Sequence, residues 1–160
     1  MRVGMVMTTS IEEYLSGESG VFLGLGAKYR FEAGRTAKDY VQAFHWFTKA
    51  ADLGNAMGEY YLGMMLERGE SVPQDYARAL YFYGRAAEQG LGVAQSNLGL
   101  MYLLGRGVPR DSQHAAEWIL KAAQQSVTSA QYMIGKMYHE GVGLSKDTVL
   151  AHMWLSLASS

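Results

Sequence analysis

The chain has 160 residues, a formal net charge of -1, 49% hydrophobic residues and no cysteine. The missing cysteines exclude disulfides, thiol catalysis and cysteine-based zinc or iron–sulfur sites. The balanced charge, with no basic stripe, speaks against a nucleic-acid partner, and no apolar run reaches the ~18 residues of a membrane-spanning helix.

Residues 1–9 show no periodicity and lack the apolar core of roughly 7–15 residues that marks a signal peptide. A cytoplasmic location is slightly favoured; a periplasmic or secreted one after signal removal stays open. Ser10 and Glu13 have the spacing of a capping box, which predicts a short helix over 11–16, ended by Gly17. Residues 1–18 therefore read as a leader.

From Ser19 onward the chain repeats itself with a step of 36 residues. Asp39, Asp75, Asp111 and Asp147 fall in one column; Trp46, Phe82, Trp118 and Trp154 in another. Two alanine columns keep the same step: Ala43, Ala79, Ala115, Ala151, and Ala50, Ala86, Ala122, Ala158. A period of 20–50 residues signals a solenoid or a related array. The repeats span 19–54, 55–90, 91–126 and 127–160, the last incomplete. Each reads as two helices. In the first, Val21, Leu25 and Tyr29 mark an apolar stripe of the leading helix, and its loop carries one extra residue. Ala43, Trp46, Phe47, Ala50 and Ala51 form the buried stripe of the helix that follows. Repeat two has Tyr61, Leu62 and Leu66, then Gly69 as a left-handed helix end, then Ala79, Phe82, Tyr83, Ala86 and Ala87, closed by Gly90. Repeats three and four keep a Gly-x-Gly loop, at Gly105 and Gly107 and at Gly141 and Gly143.

Each column has a structural meaning. Glycine pairs permit positive φ in a tight reversal between antiparallel helices; the strand and lysine of a phosphate-binding loop are missing. The aspartates stand where second helices begin, which is the place of an N-cap. The large aromatics lie beside the alanines and read as core, so that Trp118→Ala would cost roughly 3–5 kcal/mol through a cavity. His45, His114, His139 and His152 occupy four different positions of the repeat, with only His152 in a crowded spot. No nucleophile, metal or cofactor motif emerges; the expectation is a chain with no catalytic site, metal or cofactor.

The run Leu98-Gly99, Tyr102, Gly105, Gly107-Val108, Asp111, Ala115, Trp118, Ala122-Ala123 resembles the SEL-one-like repeat, a relative of the tetratricopeptide repeat. The tetratricopeptide unit has 34 residues, and the longer step and loop favour the SEL type. The cysteine-rich branch of that family is ruled out by composition. The resemblance implies an all-α, right-handed solenoid (superhelix) of antiparallel helix pairs, about four repeats long. Its first helices would line a concave surface for a protein or peptide, the work of a bacterial adaptor or scaffold. By the same resemblance the groove residues are Arg30 and Phe31; Tyr60, Met64, Glu67 and Arg68; Ser96, Leu100, Leu103 and Leu104; and Tyr132, Lys136, His139 and Glu140. Leu100, Leu103 and Leu104 place an apolar centre at repeat three, and exposed apolar patches mark interaction sites.

Two other roles compete with the adaptor. Met153, Trp154 and Leu157 on the last helix suggest a homo-oligomer, self-associating at the C-terminal end as a fragment of a longer protein, since solenoid ends need polar caps. Exposed Tyr and Trp suggest a glycan- or peptidoglycan-binding module.

Overall fold

A computed structural model of the chain describes residues 17–32 and 36–160. Among these the chain is all α-helical. Helix α1 runs over 17–27 and widens into a π turn at Lys28–Glu32. Seven helices follow: α2 Ala37–Asp52, α3 Ala56–Arg68, α4 Tyr76–Glu88, α5 Gly92–Leu104, α6 Ser112–Gln124, α7 Thr128–Glu140 and α8 Thr148–Ala158. The capping box at Ser10 and the leader helix over 11–16 lie outside the described residues. Gly17, expected to end that helix, is itself helical.

The chain forms two compact units, divided between Asp75 and Tyr76. In the first, α2 packs on α3 and on the π turn. Phe47 is fully buried and stacks on Tyr61 at 4.6 Å. A Cβ on Gly26 would lie 2.5 Å from the Phe47 ring, so the glycine is what lets α1 approach α2. Val21 was expected on the buried stripe; it is 60% exposed, and Phe22 faces inward instead, stacked on Trp46 at 5.7 Å.

In the second unit, α5 pairs with α6 and α7 with α8, while α4 packs on α5 and α6 on α7. The alanine columns are buried: Ala79, Ala86, Ala115 and Ala122 completely and Ala151 almost so, while Ala158 on the last helix is half-buried. The aromatic column is a correction. Trp46, Phe82, Trp118 and Trp154 are half-buried, and the sealed position is one residue later, at Phe47, Tyr83 and Ile119. The small residue on the facing helix decides this, because Ile119 fits over Gly99 as Phe47 fits over Gly26.

The loops follow the sequence closely. Gly69, Gly105 and Gly141 end α3, α5 and α7 in the left-handed conformation, with φ of 68°, 68° and 75°. Two residues on, Gly107 and Gly143 are again left-handed, and Ser71 takes the same conformation in the second repeat. Gly107 has a further constraint, since a Cβ there would lie 2.5 Å from the Tyr76 carbonyl oxygen. Asp111 and Asp147 cap α6 and α8 as expected, each accepting backbone N–H bonds at 2.9 Å. Asp39 differs: Thr36 is the N-cap of α2, and Asp39 is the third helical residue, closing a capping box from inside the helix. Helix α2 thus begins three residues, about one turn, before the position its period gives.

Candidate functional site

Helices α5 and α7 bound an open cleft of about 420 Å³. The α5 wall is Leu100, Leu103 and Leu104; the α7 wall is Tyr132, Met133 and Met137. Leu104 is 49% exposed and Tyr132 53% exposed, whereas Leu100 and Leu103 are half-buried. Leu103 and Met133 also pack on the core cluster around Ile119 and Ile134. The rim is charged. Arg110 stands on one side, and on α7 Lys136 faces Glu140 at 3.7 Å, one helical turn away. The cleft thus has an apolar floor and a few charged groups at its edge.

The cleft gathers six of the fourteen groove residues expected from the sequence: Leu100, Leu103, Leu104, Tyr132, Lys136 and Glu140. Ser96, on α5, is buried, and His139 is exposed on α7 outside the lining. Arg110, Met133, Met137 and Val142 were not anticipated. Arg110 and Val142 come from loops that a helix-register argument does not sample. Met133 and Met137 share the stripe of Tyr132 and Lys136 at helical spacing, which is the signal that could have found them.

In the first unit the expected residues are used differently. Arg30 is only 7% exposed, and its Nε and Nη2 both lie 2.9 Å from carboxylate oxygens of Glu70. Its guanidinium also lies over Phe31 and Tyr40, 5.1 and 5.2 Å from the ring centres. Arg30 is thus a structural tie between the end of α1 and the loop after α3. Met64 is buried. Tyr60 and Glu67 are half-buried, while Phe31 and Arg68 are exposed. Phe31 meets Tyr61 edge-on at 5.6 Å. So Arg30, Met64 and Ser96 present no free side chain to a groove.

Among the described residues no three His, Asp or Glu side chains come together as metal ligands. His114, outside the cleft, lies against Tyr102 with ring centres 4.5 Å apart. His152, placed in a crowded spot by its sequence, is exposed. No helix among the described residues is long and apolar enough to cross a membrane.

The architecture has counterparts. The Sel1 repeat matches four times, over 22–55, 56–91, 92–127 and 128–160, shifted by a residue or a few from the boundaries drawn above. The chain is 42% identical to c5321, described as a protective antigen of uropathogenic Escherichia coli with an SLR fold, with a TM-score of 0.84. That alignment covers 92% of this chain and 32% of the antigen, so the chain spans about a third of its length. A Sel1 repeat protein from Oxalobacter formigenes is 30% identical, with a TM-score of 0.80, over 88% of this chain and 57% of that one. Cysteine-rich protein B of Helicobacter pylori shares the fold at 20% identity, with a TM-score of 0.55, over 75% of this chain and 94% of that one. No curated protein matches the chain.

Proposed function

The chain belongs to the Sel1 repeat family, and from that premise we propose that it is a non-catalytic scaffold whose α5–α7 cleft holds a segment of a partner protein. Sel1 repeat proteins are generally interaction scaffolds. The observation that carries the reading here is the apolar cleft itself, in which exposed Leu104 and Tyr132 face a floor of leucine and methionine. Methionine side chains adapt their shape to a guest. The charged rim of Arg110, Lys136 and Glu140 would set its orientation more than its affinity. The guest that suits this composition is an amphipathic helix or an extended peptide with apolar anchors.

The test uses Leu104→Glu combined with Tyr132→Ser. Both side chains are about half exposed, so the fold is spared, whereas Leu103→Glu would disturb the core. Loss of the partner held by the wild type supports the cleft; retention by a folded double variant contradicts it.

A second reading is self-association through α8. Val149, Met153 and Leu157, spaced by four, are 76%, 42% and 46% exposed. The same register on α6 holds Gln113, Glu117 and Lys121, exposed although α7 and α8 follow. The stripe therefore faces outward in any repeat, and a further repeat would leave it uncovered. A concentration-dependent dimer in sedimentation, abolished by Met153→Glu, supports this reading; a monomer at high concentration removes it.

A further inference from the structure

We propose that the guest of the α5–α7 cleft is helix α8 of a second copy of this chain, so that copies join head to tail. The inference rests on the reading of that cleft as a site for a protein segment, and it names the segment.

Helix α8 departs from the other second helices in one respect. The column that ends at Leu157 holds Lys49, Arg85 and Lys121 in the three earlier repeats. On α6 the exposed residues Gln113, Glu117 and Lys121 stand where α8 exposes Val149, Met153 and Leu157. A solvated face of the repeat has thus become apolar, and α8 carries no Asp, Glu, Lys or Arg at all. An exposed apolar stripe of this kind marks an interaction surface.

The same unit carries the counterpart. Of the seven large apolar side chains exposed in the second unit, three are this stripe and two, Leu104 and Tyr132, line the α5–α7 cleft. The stripe and the cleft of one copy do not meet. Helix α8 packs on α7 through Leu155, which lies over Gly135, and it contributes no residue to the cleft. A joint between them therefore links two copies through different surfaces, a heterologous contact.

The fit is one of length and charge together. The stripe runs eight helical steps from Val149 to Leu157, and the α7 wall runs eight from Tyr132 to Glu140, about 12 Å in each case. At the rim Lys136 already faces Glu140 at 3.7 Å, so the cleft asks no counter-charge of its guest. An uncharged helix strands no ion when it is buried there.

The experiment compares three forms of the whole chain by sedimentation velocity across a range of concentrations. They are the wild type, a cleft variant (Leu104→Glu with Tyr132→Ser) and a stripe variant (Met153→Glu with Leu157→Glu). The wild type should associate as concentration rises, and each variant alone should do so at least tenfold more weakly. Mixed in equal amounts, the variants should form a one-to-one dimer and nothing larger, because the intact stripe of one enters the intact cleft of the other. That restored dimer also shows that both variants are folded. A cleft variant that associates like the wild type would set stripe against stripe and overturn the proposal. So would a mixture that stays monomeric, or a wild type that is monomeric at high concentration. Failure of the cleft reading itself is a separate result: a folded cleft variant that still holds a different partner protein.

Discussion

Gly99 on α5 lies directly under Ile119 on α6, so close that a Cβ on the glycine would sit 2.6 Å from Ile119 Cγ1 and 3.0 Å from the Ala115 carbonyl oxygen. The hairpin is therefore set to a glycine spacing. Gly99→Ala is expected to push the helices apart and to destabilise the fold by about 1–3 kcal/mol. Gly84→Ala, where the Cβ meets open space, should instead stabilise it by up to about 1 kcal/mol. Thermal or urea unfolding of the two variants checks both signs. Equal effects would mean that helix propensity, and no close packing, governs these positions.

Arg30 and Glu70 form an ion pair in which Arg30 Nη2 donates to Glu70 Oε1 at 2.9 Å and Nε lies 2.9 Å from Oε2, with side chains 8% and 19% exposed. Removing one partner leaves a charge in a half-dry site. Arg30→Ala should cost about 3 kcal/mol, and Arg30→Met with Glu70→Leu should cost less than either single change, since a buried pair is offset by its desolvation. A double-mutant cycle measures the coupling. Additive effects would assign Arg30 to the surface role first expected of it.

Gln95 and Gln131 are buried and donate their amide N–H to the carbonyl oxygens of Ala87 and Ala123, at 3.2 and 3.4 Å. The same register holds Glu59 in the second repeat, with no exposed surface. Gln95→Leu removes the side-chain donor to the Ala87 carbonyl oxygen and is expected to destabilise the protein by about 1 kcal/mol. An unchanged unfolding midpoint for the variant would contradict it.

Thr36 and Asp39 cap α2 reciprocally: the Thr36 amide and hydroxyl donate to Asp39 Oδ2 at 2.9 and 2.7 Å, and the Asp39 amide donates to Thr36 Oγ1 at 3.3 Å. The hydroxyl bond, then the amide bond, holds the Asp39 carboxyl below its usual pKa. A depressed carboxylate stabilises the fold fully above its unfolded pKa and loses that contribution as pH falls through the folded one. The stability gap between wild type and Asp39→Ala should therefore narrow on acidification below pH 4. Unfolding midpoints across that range test it, and a gap independent of pH would contradict it.

The period, the helix pairs and the loops were legible because they rest on glycines, alanines and aspartates whose chemistry is local. Gly105 and Gly107 had to be left-handed, and Asp111 had to cap. Phase was harder. Trp118 and Ile119 are neighbours on one helix, and only the facing Gly99 decides that Ile119 is sealed while Trp118 stays half-open. Six of the residues expected at one face line the α5–α7 cleft and others do not, since residues at one register share a face only if their surroundings match. Tyr132 is exposed on α7, but Ser96, one repeat earlier, is buried. Arg30 was drawn inward by Glu70, a partner 40 residues away that no helix period connects.

The central claim is that a partner sits between α5 and α7, and crosslinking from within the cleft addresses it most directly. A photoreactive amino acid would replace Leu104, with Glu117 on the exposed face of α6 as the comparison site. The account predicts a discrete crosslinked partner from position 104, none from 117, and loss of the adduct when Tyr132 is changed to Ser in the same chain. Equal crosslinking from both positions, or an adduct indifferent to Tyr132, would contradict it.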